Sequence, residues 1–191
     1  MTFKTSIAIL CLAFSNIVSA TIDIPPEAYS FDTNVIKLKM TRTQKNKIRN
    51  AEELIKEVIA TPEFRSRVLN HEFNGVKTYV DNGGLTNAQI YKKILDGAET
   101  LQPVKNNRMD VEVALYFEES NTVGYTTTLS RRINMNTKYF NKYTPVSVSR
   151  NLMHEWLHKL GFKHQVNYTP SRDYSIPYAI SKIVQDLATN I

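Results

Sequence analysis

Cysteine is almost missing from this chain of 191 residues, and its single thiol, Cys11, falls inside an N-terminal apolar run. That excludes a small scaffold stapled by disulfides and fits a chain large enough to bury a core without them. Long apolar runs are also missing. Ile7 to Phe14 is too short to span a bilayer, and no later segment is a better candidate. Repeats, low-complexity tracts and linkers are absent, so the remainder reads as one domain. The chain is basic, with net charge +6, yet no aromatic or glycine-rich nucleic-acid motif accompanies the charge. Lys37, Lys39, Arg42, Lys45, Lys47 and Arg49 therefore read as a solvated face, the other reading being a patch for an anionic cell-envelope polymer. Asp81-Asn82-Gly83-Gly84 holds too few carboxylates for a calcium loop and reads as a turn.

What is present begins with an export signal. Lys4 supplies the positive start, Ile7 to Phe14 the apolar stretch, and Val18-Ser19-Ala20 the small residues of a cleavage site. Residues 1–20 are expected to be removed, leaving a secreted or periplasmic protein without a membrane span.

Periodicity then sets out the elements. Asn34 to Met40 reads as extended. Ile48, Ala51, Ile55, Val58 and Ile59 share one face of a helix over about Thr43 to Ala60, and Thr61-Pro62 opens a second helix running to about His71. His71 reads as a helix-end residue favoured by the dipole. Gly75 to Val80 is a strand candidate. Thr86 to Gln89 is a capping box for a helix reaching about Ala98. Val111 to Phe117 alternates as a half-buried strand, with Thr122 to Leu129 as its partner and Arg132 to Asn136 as a third strand. Thr144-Pro145 opens a largely apolar helix to Leu160, and Ile180, Ile183, Val184 and Leu187 mark a closing helix after a turn at Tyr174 to Tyr178.

The chemistry is concentrated in His154-Glu155-Trp156-Leu157-His158-Lys159-Leu160-Gly161-Phe162-Lys163-His164, which holds three of the four histidines. Residues four apart share a helix face, so His154 and His158 can offer nitrogens to one metal ion while Glu155 stands beside it as a base. Gly161 permits the left-handed exit that brings His164 round as third ligand. Three histidines leave the fourth tetrahedral position of zinc open, the arrangement of a catalytic rather than a structural site. Burying two histidines and a carboxylate in so apolar a helix is costly unless a metal or hydrogen bonds satisfy them.

These residues fill every fixed position of HExxHxxGxxH, and here the chain resembles the metzincin clan of zinc peptidases. The resemblance implies an α+β, zincin-like catalytic domain with a small mixed sheet, a central active-site helix and a short C-terminal subdomain. It places that domain at residues 73–191 and leaves 21–72 as an N-terminal helical extension or a pro-segment. With no cysteine, such a segment could block the metal only through a carboxylate such as Asp23 or Asp32. The clan carries a methionine turn below its zinc, whereas this chain has no methionine after Met153; if Tyr178 aligns with the tyrosine that follows, Ile176 takes the methionine's place. Tyr178 would then bind zinc at rest, donate to the oxyanion, or simply pack. The implied activity is peptide-bond hydrolysis through a zinc-bound water with Glu155 as general base, on a peptide or protein lying along the edge of Arg132 to Asn136. Two rivals remain: an exported cell-envelope binding protein with a structural zinc site, and a hydrolase of peptidoglycan stem peptides.

Overall fold

The computed structural model describes residues 30–191, so the expected signal at 1–20 and Asp23 lie outside the described residues. The first element is β1 (Asp32–Leu38), followed by α1 (Arg42–Ile59), α2 (Pro62–Leu69) and α3 (Asn87–Asp96). Then come β2 (Arg108–Tyr116), β3 (Gly124–Thr126), β4 (Arg132–Asn136), the single turn α4 (Thr137–Phe140), α5 (Pro145–Lys159) and α6 (Ile176–Ala188). The fold is α+β, with one small mixed sheet ordered β1-β2-β4-β3. β1, β2 and β4 run parallel, and β3 closes the far edge antiparallel to β4.

The helix boundaries follow from their caps. Thr41 accepts from the Gln44 amide while the Gln44 side chain accepts from Thr41, and the same reciprocal pair joins Thr86 and Gln89. Thr61 and Thr144 each cap a helix whose first turn holds proline, where a missing N–H costs nothing. α3 stops at Gly97, which takes a left-handed φ of 65°. There a Cβ would meet the Arg108 carbonyl oxygen at 2.4 Å, so the residue is glycine for two reasons.

Alternation buries Met109, Val111 and Val113 of β2 with Ile133 and Met135 of β4 on one sheet face. α1 and α5 cover the sheet and each other, and α6 packs along α5. Leu152, Met153, Trp156 and Leu157 are fully enclosed, each contributing about 1.5–3 kcal/mol of burial. α5 is thus held on all sides except the strip that carries its polar residues.

Several expectations change here. Residues 32–69, expected within an extension or pro-segment ahead of a domain starting at 73, supply an edge strand of the sheet and a helix packed on α5. The reason is hydrophobic: Ile48, Ala51 and Ile55 are fully buried, and exposing α5 by removing them would open the core. Asp32 opens β1 and pairs with Lys56 at 3.6 Å, not with any histidine. Gly75 to Val80 forms only isolated bridges, Phe73 with Val76 and Val80 with Ser175, because Gly75 turns at positive φ. β3 pairs with β4 rather than β2, and Phe117 is exposed beyond the end of β2. Arg132 to Asn136 is consequently an interior strand. The basic region is partly tied down: Lys37 pairs with Glu52, and the Lys47 ammonium donates to the carbonyls of Phe140 and Asn141.

Candidate metal centre

α5 presents Ser147, Arg150, Asn151, His154, Glu155 and His158 along one strip, a spacing of three and four residues that makes a continuous helix face. This strip is the floor of a cleft of about 950 Å³. Residues 121–126 form one wall, and Tyr178, Ser181 and Gln185, again on one helix face of α6, form the other.

The end of α5 explains how the third histidine arrives. Gly161 has φ of 90°, its N–H donates to the His158 carbonyl at 3.0 Å, and the Phe162 N–H donates to the Leu157 carbonyl at 3.1 Å. That pair of bonds is a Schellman turn, and Phe162 and Leu157 are both buried there. The chain reverses, and His164 returns over the helix face.

The imidazoles of His154, His158 and His164 then converge, with ligand atoms all within 4.8 Å of one another. Two of the rings are fixed from behind: His158 Nδ1 lies 2.8 Å from the Phe162 carbonyl and His164 Nδ1 lies 2.8 Å from the Gln165 carbonyl. A carbonyl only accepts, so in the neutral rings the proton belongs on the nitrogen facing it and the other nitrogen presents a lone pair. The Nε2 atoms of His154 and His164 face each other at 3.3 Å, close enough to share one proton or to hold one cation between them. Nitrogens bound tetrahedrally at about 2.0–2.1 Å stand about 3.3–3.4 Å apart, so this pair matches the spacing of zinc ligands and the three imidazoles match their type.

Electrostatics agree with neutral ligands. Burial, reinforced by the other two histidines, pushes His154 down to about 3; burial also lowers His158 and His164. Glu155 is 5% exposed, and burial pushes its carboxyl up to about 7, with Lys159 opposing. A carboxyl that titrates near neutrality can exchange protons at physiological pH. Tyr178 stands over the site, its ring 4.6 Å from that of His154 and 4.7 Å from that of His164. Arg172 donates to its hydroxyl and stacks on its ring. Burial raises the Tyr178 pKa and Arg172 opposes this, so the phenol is protonated at neutral pH. Ile176 is fully buried at the start of α6, two residues before Tyr178.

All five residues singled out in the sequence therefore meet at one place. The fourth histidine does not join them: His71 lies beyond the Asn70 cap, stacked on Tyr79 at 4.0 Å, and burial keeps it neutral, which removes the helix-dipole role. Residues not foreseen are Arg150 and Asn151, which the four-residue spacing before His154 and Glu155 would have revealed, and the anchor behind the helix. There Trp156 Nε1 donates to buried Glu99 Oε1 at 2.7 Å, and the Lys159 ammonium donates to the carbonyls of Thr127 and Ser130 at 2.8 and 2.6 Å. The latter fixes the loop between β3 and β4. Gly124 lets β3 approach α5, since a Cβ there would lie 3.0 Å from the Asn151 amide nitrogen. Comparison of the chain with protein-family models, with curated proteins and with solved structures returns no match.

Proposed function

We propose that this protein is an exported, zinc-dependent endopeptidase of zincin-like architecture. The observation that carries the reading is the convergence of three imidazoles, two of them held through Nδ1, beside a buried carboxylate on the floor of an open cleft. A purely structural zinc site is closed by four protein ligands and needs no base. Among the described residues only three ligands meet here, which favours the enzyme over a binding protein.

A zinc ion held by His154, His158 and His164 would supply Lewis acidity and lower the pKa of water toward about 7. Glu155 accepts the proton of the attacking water and later delivers it to the leaving amine. Its burial keeps the carboxylate poised rather than hydrated. The carbonyls of Phe162 and Gln165 hold the ring planes and tautomers of His158 and His164. Tyr178, kept protonated and held by Arg172, would donate a hydrogen bond to the oxyanion of the tetrahedral state.

The substrate's place changes from that expected. β4 is interior, and the free edge facing the cleft belongs to β3. An extended peptide would pair with Gly124 to Thr126, gaining main-chain bonds with little sequence demand. Cleavage of an unfolded protein by the wild type and by Glu155→Gln tests the reading. The reading requires fragments from the wild type alone, and equal activity in the two proteins would end it. Purified cell wall, assayed in parallel, shows whether stem peptides are the substrate instead.

A further inference from the structure

The cleft carries one charge that the hydrolytic step does not use. Arg150 lies four residues before His154 on the same face of α5. It forms no ion pair among the described residues, whereas Arg67, Arg108 and Arg132 pair with Asp186, Asp110 and Glu112. Arg150 gives one N–H to Gln185 Oε1 at 2.9 Å, leaving most of a five-donor fork free. The cleft is also lined by Tyr143, Ser147 and Asn151, which can donate, and the one carboxylate lining the whole cleft is Glu155. A half-buried guanidinium among donors, with no acid to neutralise it, is complementary to an anion.

Resting on the peptidase reading above, we infer that Arg150 selects substrates carrying a carboxylate close to the scissile bond. One helical turn separates Arg150 from His154, about 6 Å along α5. An extended peptide advances about 3.3 Å per residue, so the carboxylate belongs to a residue one or two positions from the cleaved bond. It comes either from an acidic side chain or from a free C-terminus. Gln185 holds the guanidinium in place without competing for its charge.

Quenched fluorescent peptides that differ only in Glu, Gln or Lys at two positions on either side of the bond, each as free acid and as amide, test this. A charge-assisted bond implies about a 10- to 100-fold higher kcat/KM for Glu over Gln at one position. Arg150→Leu should erase that preference, Arg150→Lys should keep part of it, and Arg150→Glu should turn it toward Lys. A preference for free acid over amide, whatever the side chain, assigns the terminal carboxylate as the group bound. Anisotropy of the same labelled peptides on Glu155→Gln protein reads binding without turnover. Wild type that cleaves Glu, Gln and Lys peptides alike, as acid and as amide, overturns the inference and spares the peptidase. A preference that survives Arg150→Leu does the same. Arg150-dependent binding of carboxylate peptides that are never cleaved overturns the peptidase and spares the carboxylate site; neither binding nor cleavage overturns both.

Discussion

Trp156→Phe removes one donor from behind the metal site while keeping an aromatic ring in the core. The indole N–H donates at 2.7 Å to Glu99 Oε1, and Glu99 is 3% exposed. Its remaining bond on that oxygen comes from the Asp110 amide at 2.9 Å, and Oε2 has no partner. A hydrogen bond to a charged group contributes about 1.5–3 kcal/mol. Shrinking indole to phenyl, and loosening the edge contact with Phe31 at 5.5 Å, adds about 1 kcal/mol. The total is about 2.5–4 kcal/mol, read as a shift in urea midpoint of chelated protein at pH 7.5. The pH dependence separates the two parts. Burial raises the Glu99 pKa above the ordinary carboxylate value, and the Trp156 bond lowers it, so the variant should raise it further. Above the unfolded pKa the folded protein then retains a proton that the unfolded chain has lost, and stability declines as pH rises through that window. The difference between wild type and variant should accordingly be smaller at pH 5 than at pH 7.5. Because the histidines are common to both proteins, their titration cancels in that difference. A loss below about 1 kcal/mol, or one independent of pH, would refute the assignment of Glu99 as a charged acceptor for Trp156.

Further consequences concern backbone and metal. Gly97→Ala forces an L-residue to φ of 65° against the Arg108 backbone, and should cost about 3 kcal/mol or more in thermal or urea unfolding. Gly124→Ala presses β3 against the Asn134 carbonyl and the Asn151 side chain, each 3.0 Å from the added carbon. Its stability cost should be about 1 kcal/mol, with a larger KM for extended peptides because the free edge is displaced. Zinc at about a thousandfold excess over its dissociation constant should raise folding stability by about 4 kcal/mol, and a chelator should remove that gain. In chelated protein the three histidines have folded pKa values below the unfolded 6.5. Their contribution is therefore present above pH 6.5 and lost as pH falls, when the unfolded chain takes up protons the folded one refuses. His154→Gln should flatten that fall between pH 7.5 and 5 in urea titrations.

The parts legible in the sequence are those set by local rules. The caps at Thr61, Thr86 and Thr144, the buried faces of α1 and α5, and the exit at Gly161 each depend on a few neighbouring residues, and they lie where spacing places them. The three histidines, Glu155 and Tyr178 come together because the first four are one helix and its turn. Pairing between distant strands was not legible. β1 joins β2 across a separation of some seventy residues, and nothing in either strand's alternation names the other. Spacing alone therefore leaves Arg132 to Asn136 as an edge and residues 21–72 as an appendage, and only the pairing corrects both. The carbonyls that lock the rings were hidden for a different reason, since a backbone acceptor carries no sequence signature. Arg150 was legible by its spacing, yet only the cleft shows that no acid faces it.

The most direct measurement is zinc content together with peptide cleavage for the wild type, Glu155→Gln and His164→Ala. One zinc per chain is expected in the first two, cleavage in the wild type alone, and loss of both in His164→Ala. Wild type that binds no zinc, or a Glu155→Gln protein that cleaves as fast as the wild type, would contradict the peptidase reading.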